Sequence, residues 1–327
     1  MQRDFHYDAI AVLARWAGYS SSDALTIAYA SQYVDDADDA DPVLVPGGNG
    51  LFFDPTMTAY IGIESLTWSL QKRVYIPFHF LPPSKPETLA GYRVADLPPG
   101  PLAGFLLTQA RRLAPPIIAD VPYQDNSRRL ARLVNLGINL HVFADQWSHA
   151  GFSGRSDLQD NGVEFVEGHV NSEALADLLC YVAPAIGHAK LGRIPDDGAY
   201  TWSAGLETYP EEGERRWSRN NASWFCGAAD SILRILTGGE QTLTPERGTI
   251  LLDFLQNHRS SEQFQDLFDA PLVYDSKAWR YVALGAEDLP APFYRSPGDS
   301  ASFYKTPWVL WHQAALRHRN MVLEVIQ

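Results

Sequence analysis

The sequence predicts an all-α fold: a single, mostly helical domain spanning residues 1–327, built around a central buried helix, with long loops and a small hairpin. Three observations predict it. Amphipathic patterns with capping residues recur along the chain, one long segment is apolar on nearly every side, and no repeat, low-complexity tract or linker divides the sequence. Apolar residues make up 46% of the 327 and charged residues only 20%, enough to fill a sizeable core.

The elements follow in order. DFHYDAIAVLARWAG reads as a first helix closing at Gly18, and SSSDALTIAYASQYVDD as a second whose serines are available to cap its start. The second helix runs into an acidic cluster of Asp35, Asp36, Asp38, Asp39 and Asp41. Between residues 42 and 100 Pro and Gly are frequent, and short β-branched or aromatic runs such as VLV and RVYIPFHF appear, which predicts long loops and the hairpin. Helices resume at GPLAGFLLTQARRLA and at DNSRRLARLVNLGINLHVFADQWSHAG. Beyond Leu130 the latter has no polar side, which places it at the centre. Residues 151–212 read as loops around a helix at NSEALADLLCYV, and helices follow at 218–237, 245–258 and 303–325. The last third completes the helical core.

Composition excludes several function classes. The net charge of −13 and the lack of a clustered basic groove argue against stable binding to a nucleic-acid backbone. An anionic substrate stays open if metal ions supply local positive charge. Asp4, His6 and Asp8 interrupt the start MQRDFHYDAIAVLARW, unlike the apolar core of a signal peptide. No run approaches the roughly 20 apolar residues of a spanning helix. The expectation is a soluble chain without a cleavable export signal, either cytoplasmic or exported by another route. Cys180 and Cys226 are far apart and are expected to be buried free thiols, so a metal site must rest on His and carboxylates.

HVFADQWSHAGFSG provides such residues. On a helix, steps of four advance about 40° past a full turn, so His141, Asp145 and His149 share one face over three turns. That face lies inside, where an ionised Asp is costly unless paired or metal-bound. A divalent ion uses the flanking imidazoles as well; the alternative is a buried hydrogen-bonded polar cluster. Other histidines bear on the choice. His6 stands in RDFHYD beside Asp4, His79 between two phenylalanines in VYIPFHFLPP, and His188 in GHAKLGRIPDD, where Asp196 or Asp197 is available to complete a site. Each of these, taken singly, also fits an ordinary core or surface histidine. His169 and Glu173, at i and i+4 in HVNSE, form a rival late pair, although His169 also fits a surface residue near a helix start. His258, His312 and His318 lack glycine or carboxylate context and are set aside. No HExxH, P-loop, adjacent His-Asp dyad, Glu-x-x-His pair or GxSxG elbow occurs. Nitrogen and oxygen ligands without Cys suit catalytic zinc, with manganese or iron as alternatives.

The succession of an early DFH, SQYVDD closing the second helix, FHF, HxxxDxxxH on a central helix and a later GH…PD resembles the zinc-dependent phospholipase C superfamily, which includes the fungal-type zinc nucleases. The resemblance covers about residues 1–200 and is clearest to a divergent bacterial branch that shares the FHFLP and HxxxDxWxHxGFSG phrases, with relatives described as zinc metallophospholipases C. It implies an all-helical fold holding three zinc ions. His6 matches the early ligand and Asp35 or Asp36 the carboxylate that bridges to the nucleophilic water; His79, His141 and Asp145 match the next set, with Asp145 shared between ions. His149 and His188 match the ligands of the remaining ion, together with Asp196 or Asp197. Two departures stand out. The family's first zinc often uses a processed N-terminal amine and a Trp carbonyl, whereas five residues precede His6 here, with Asp4 as the substitute. The family's last pair is His-x3-Glu, which His169 satisfies and His188 does not.

The implied activity is hydrolysis of a phosphodiester. Metal ions would neutralise the non-bridging oxygens, activate a water and steady the leaving group, with Asp35 or Asp36 orienting or deprotonating that water. A phospholipid substrate implies contact at a membrane periphery and release of diacylglycerol; the alternative substrate is single-stranded nucleic acid or a nucleotide. Trp68, Trp147 and Phe152 are candidate aromatic faces for a choline head group, or ordinary core residues. A non-enzymatic domain stapled by metal is disfavoured, because six or more N/O ligands without Cys are unlike closed structural zinc sites.

Overall fold

The computed structural model of the chain describes residues 1–38, 40–45, 50–116, 126–169, 186–206, 216–285 and 300–326. The fold is mostly helical, as the sequence predicts. Its axis is α6 (Asn126–Ser148), preceded in the chain by α1 (Ile10–Trp16), α2 (Ser21–Asp36), α3 (Trp68–Leu70), α4 (Ile76–Phe78) and α5 (Pro101–Leu113). After it come α7 (Leu158–Asn161), α8 (Asn221–Leu236), α9 (Pro245–Gln256), α10 (Ala278–Leu284), α11 (Ser300–Phe303) and α12 (Pro307–Ile326). From Leu133 to Ser148 α6 is buried almost without interruption, and α2, α5, α8 and α12 pack around it. No helix among the described residues is long and apolar enough to cross a membrane.

The helix starts are set by their caps. Ser20 accepts the N–H of Asp23 at 3.1 Å at the start of α2, Asn220 that of Ser223 at 2.9 Å before α8, and Thr244 that of Arg247 at 3.3 Å before α9. The contact of α2 with α6 depends on Gly137. A Cβ there would stand 2.4 Å from the Ile27 carbonyl oxygen and 2.6 Å from the Ala30 Cβ, so only hydrogen lets the two backbones come this close. One turn further on is His141, and two turns beyond Ile27 is Asp35; the glycine therefore sets the spacing of the site.

The small hairpin is present, with β1 (Val43–Leu44) paired antiparallel to β2 (Phe52–Phe53). Two other expectations are corrected. RVYIPFHF is helical through residue 78, with a π-helical turn at Gln71–Tyr75 leading into α4. Val74, Ile76 and Phe78 are buried, and tertiary packing overrides the β propensity of the run. The region expected to be loops holds a three-stranded antiparallel sheet in the order β3 (Val163–His169), β4 (Thr201–Leu206), β5 (Arg216–Asn220). β5 occupies what reads in sequence as the start of the 218–237 helix. The expected helix at NSEALADLLCYV, with Cys180 and Glu173, lies outside the described residues. Cys226 is a free thiol, but half-buried rather than buried.

The sheet's contribution to the centre is Arg219. Its guanidinium donates to the carbonyls of Ser148 at 3.0 Å and Ala150 at 2.6 Å, closing the C-terminal end of α6 where orphan carbonyls need donors. Burial pulls its pKa down to about 10, and it lies over the faces of Trp202 and Trp224.

Candidate metal centre

His6, on the π-helical turn Asp4–Ala9, His79 just past α4, and His141, Asp145 and His149 along and just beyond α6 converge inside the molecule. The two oxygens of Asp145 divide them. Oδ1 lies 3.0 Å from His6 Nε2, and Oδ2 lies 3.1 Å from His79 Nδ1 and 3.2 Å from His141 Nε2. Asp35 Oδ1, at the end of α2, faces the same imidazoles at 3.8 and 3.6 Å. Beside this group, Asp196 places Oδ1 3.2 Å from His149 Nε2 and Oδ2 3.2 Å from His188 Nε2. Three sets thus have ligand atoms within one ion's reach: His6, His141 and Asp145; Asp35, His79 and His141; His149, His188 and Asp196.

Three histidines are oriented from behind. His79 donates Nε2–H to the Thr58 carbonyl at 2.9 Å, His149 donates Nδ1–H to the His79 carbonyl at 2.7 Å, and His188 donates Nδ1–H to the Gly192 carbonyl at 3.0 Å. In each case the other ring nitrogen is aimed at the carboxylates. A metal-binding imidazole is held by the same arrangement. Phe80 stacks on His149 at 4.4 Å, and the backbone at Gly187 approaches Phe80 so closely that a Cβ would sit 2.1 Å from its ring. With φ +52°, Gly187 satisfies both demands and delivers His188 to the site.

The electrostatics favour the ligand states at four of the residues. Burial opposes the charge of Asp145, but His149, the Met1 amine, His141 and His6 outweigh it and hold the carboxyl well below the ordinary range. Asp196 behaves alike: burial raises it, and His188, the Met1 amine and the His149 and His188 hydrogen bonds prevail. Burial lowers His6 and His149, keeping them neutral, while at His79 burial is overcome by Asp145 and Asp35 and its pKa rises. Burial raises Asp35, with His141 and His79 opposing. Ionised carboxylates beside neutral imidazoles are what a divalent cation requires; Asp145, Asp196, His6 and His149 shift toward those states, and His79 and Asp35 shift away from them.

The structure separates residues that adjacency left open. Asp36 turns away to accept Tyr274 Oη–H at 2.5 Å and Gln32 Nε2–H at 3.3 Å, so Asp35 alone of the pair reaches the histidines. Asp197 turns to His258 at 3.1 Å, leaving Asp196 at the centre. Asp4 faces His258 rather than the cluster. His169 ends β3, and its partner Glu173 lies outside the described residues. Of the aromatic candidates, Phe152 is buried behind His188 and Trp147 packs on Trp224, whereas Trp68 is exposed.

Three features lie beyond what is read from the sequence. The Met1 amine is buried, 2.8 Å from Asp145 Oδ1 and 3.2 Å from Asp196 Oδ1; burial works to lower its pKa, but the three surrounding aspartates raise it to about 11. His312 and His318 prove to be core residues. Thr56 N–H donates to His312 Nδ1 at 3.0 Å, and His318 Nε2–H donates to the Pro77 carbonyl at 3.0 Å. Both lie on the buried face of α12 with Trp308, Trp311, Ala315 and Val322. Beside Asp35 a cavity of about 300 Å³ opens, lined also by Asp36, Lys277 and Arg280.

The profile of a family of unknown function, DUF6765, matches residues 1–326. The chain belongs to this family. No curated protein and no solved structure matches. The DUF6765 profile spans both the segments that carry the candidate ligands and the helices that enclose them.

Proposed function

We propose that this DUF6765 protein is a metal-dependent phosphodiester hydrolase, and that its substrate is a phospholipid from which it releases diacylglycerol. The observation that carries the reading is the position of Asp145, with one oxygen facing His6 and the other facing His79 and His141. A carboxylate so placed is suited to bridge two cations. One imidazole nitrogen can bind one ion, so His141 would go with His79 and Asp35, His6 would remain on the other side of Asp145, and His149, His188 and Asp196 would hold a further ion.

Zinc suits this donor set best. Bound there, divalent ions would supply Lewis-acid charge for the non-bridging phosphate oxygens and lower the pKa of a coordinated water. The protein's own groups do the rest. Asp35, a third exposed at the mouth of the cavity, is placed to accept the proton of an attacking water. The Thr58, His79 and Gly192 carbonyls fix the imidazoles so that no reorganisation is needed during the reaction. The choice of lipid rests on the likeness to zinc phospholipases C and on a net charge of −13, which disfavours long nucleic acids.

The test is turnover of phosphatidylcholine, phosphatidylglycerol and single-stranded DNA by the zinc-loaded protein. The expected outcome is release of a phosphorylated head group and diacylglycerol, abolished by chelation and restored by zinc. Cleavage of DNA without lipid turnover would overturn the lipid reading. A chelation-dependent loss of melting temperature with no ester turned over would make the metal purely structural.

A further inference from the structure

The segment from Tyr60 to Arg73 carries an apolar tip that no other part of the described chain covers. Ile61 is fully exposed (102%) and Ile63 84% exposed, while Leu66 and Trp68 are half-exposed. The backbone at Gly62 is extended, with φ 171° and ψ 175°, so Ile61 and Ile63 project to the same side. Two large aliphatic side chains held in water at one point are unusual enough to mark an interaction site. Cations flank them. Lys72 Nζ and the Arg155 guanidinium lie 5.9 and 5.8 Å from the centre of the Trp68 ring. Arg73 and Arg319 line an adjoining cavity of about 740 Å³, and neither forms an ion pair among the described residues. Burial and the nearby Arg73 together lower the pKa of Arg319, so an anion entering the cavity would relieve both effects.

We propose that this face docks the protein on an anionic lipid bilayer, with Ile61 and Ile63 entering the boundary between head groups and acyl chains and with Lys72, Arg73 and Arg155 against lipid phosphates. The proposal deepens the phospholipase reading and rests on it. Charge selects the occupant. The chain as a whole is strongly acidic, so an anionic surface repels it except where these cations cluster; Glu64 and Asp54 are the acids on the same cavity wall, and Asp157 pairs with Arg155 at 3.8 Å. A symmetric dimer through this patch would set the cations of one copy against those of the other. A bilayer accepts the apolar tip and the cations together. The segment is also tied to the metal centre. It starts two residues after Thr58, whose carbonyl accepts from His79 and whose hydroxyl donates to the Val34 carbonyl at 2.7 Å.

The test is co-sedimentation of the full, zinc-loaded protein with vesicles of phosphatidylcholine and phosphatidylglycerol, and with vesicles of phosphatidylcholine alone. Wild type is expected to prefer the anionic vesicles, and added salt is expected to weaken that preference. The double variant Ile61→Ser with Ile63→Ser is expected to lose at least about tenfold in vesicle affinity. Its melting temperature, metal content and turnover of the soluble ester bis(p-nitrophenyl) phosphate should stay unchanged. Equal vesicle binding by variant and wild type, or none by wild type, overturns the docking face. So does a wild-type dimer that the variant converts to monomer, since the tip would then be a self-association surface. Vesicle binding that depends on the two isoleucines without lipid hydrolysis would sink the phospholipase reading and leave the docking face standing; hydrolysis with unimpaired variant binding would do the reverse.

Discussion

Replacing Asp145 by Asn removes the one carboxylate that faces His6 on one oxygen and His79 and His141 on the other. Asp145→Asn and His141→Ala are each expected to abolish ester hydrolysis, measured on the substrate panel; activity retained in either would defeat the ligand assignment. Outside the site, His312 and His318 give the fold a dependence on pH. Burial depresses their pKa values from 6.5 to about 3 and about 4. Between those values and 6.5 the unfolded chain binds protons that the folded chain refuses, so stability is full above pH 6.5 and is lost as pH falls toward 3. Each tenfold loss of proton affinity on folding corresponds to about 1.4 kcal/mol. His312→Gln in chelator-treated protein is expected to flatten the fall of melting temperature over that range, and an unchanged slope would contradict the assignment. The sequence could point to Asp35 or Asp36, and to Asp196 or Asp197, because a carboxylate pair at the right place is visible as residue type. Which member turns inward is decided by distant partners, Tyr274 for Asp36 and His258 for Asp197, and these have no local signature.

At the level of elements, the long helices were legible because their signals are local: serine, asparagine or threonine at the start and a sustained apolar pattern after it. The central place of α6 followed from its lack of a polar face. The three-stranded sheet was not legible, since β3 and β4 are far apart in the chain and strand pairing is a non-local property. The same holds for residues 71–78, where Pro77 and β-branched residues suggested extended chain and packing imposed a helix. The α2–α6 contact yields a prediction of its own. Gly137→Ala must push α2 off α6 by its clash with the Ile27 carbonyl, at a cost of about 1–3 kcal/mol. Because Asp35 and His141 ride on the two helices, zinc affinity should fall along with the melting temperature. A variant with wild-type melting temperature and zinc affinity would show that the spacing is not held there.

For the whole molecule, the fold can be seen as a means of bringing residues that are distant along the chain to one buried place. His6, His79 and His188 approach the Asp145 neighbourhood from an N-terminal turn, a π-distorted helix end and a glycine turn. Arg219 from the sheet closes the helix that carries the central ligands. Three carboxylates, Asp145 buried and Asp196 and Asp35 partly so, lie within reach of five histidines; such a set is expensive without counter-ions, and the Met1 amine supplies only one positive charge. A set of bound cations, as proposed for this site, would complete this core. The most direct test is the metal content of the purified protein by mass spectrometry after zinc loading and removal of free ion. The account predicts two or three zinc ions per chain, falling in Asp145→Asn; less than one ion per chain in correctly folded wild-type protein would contradict it.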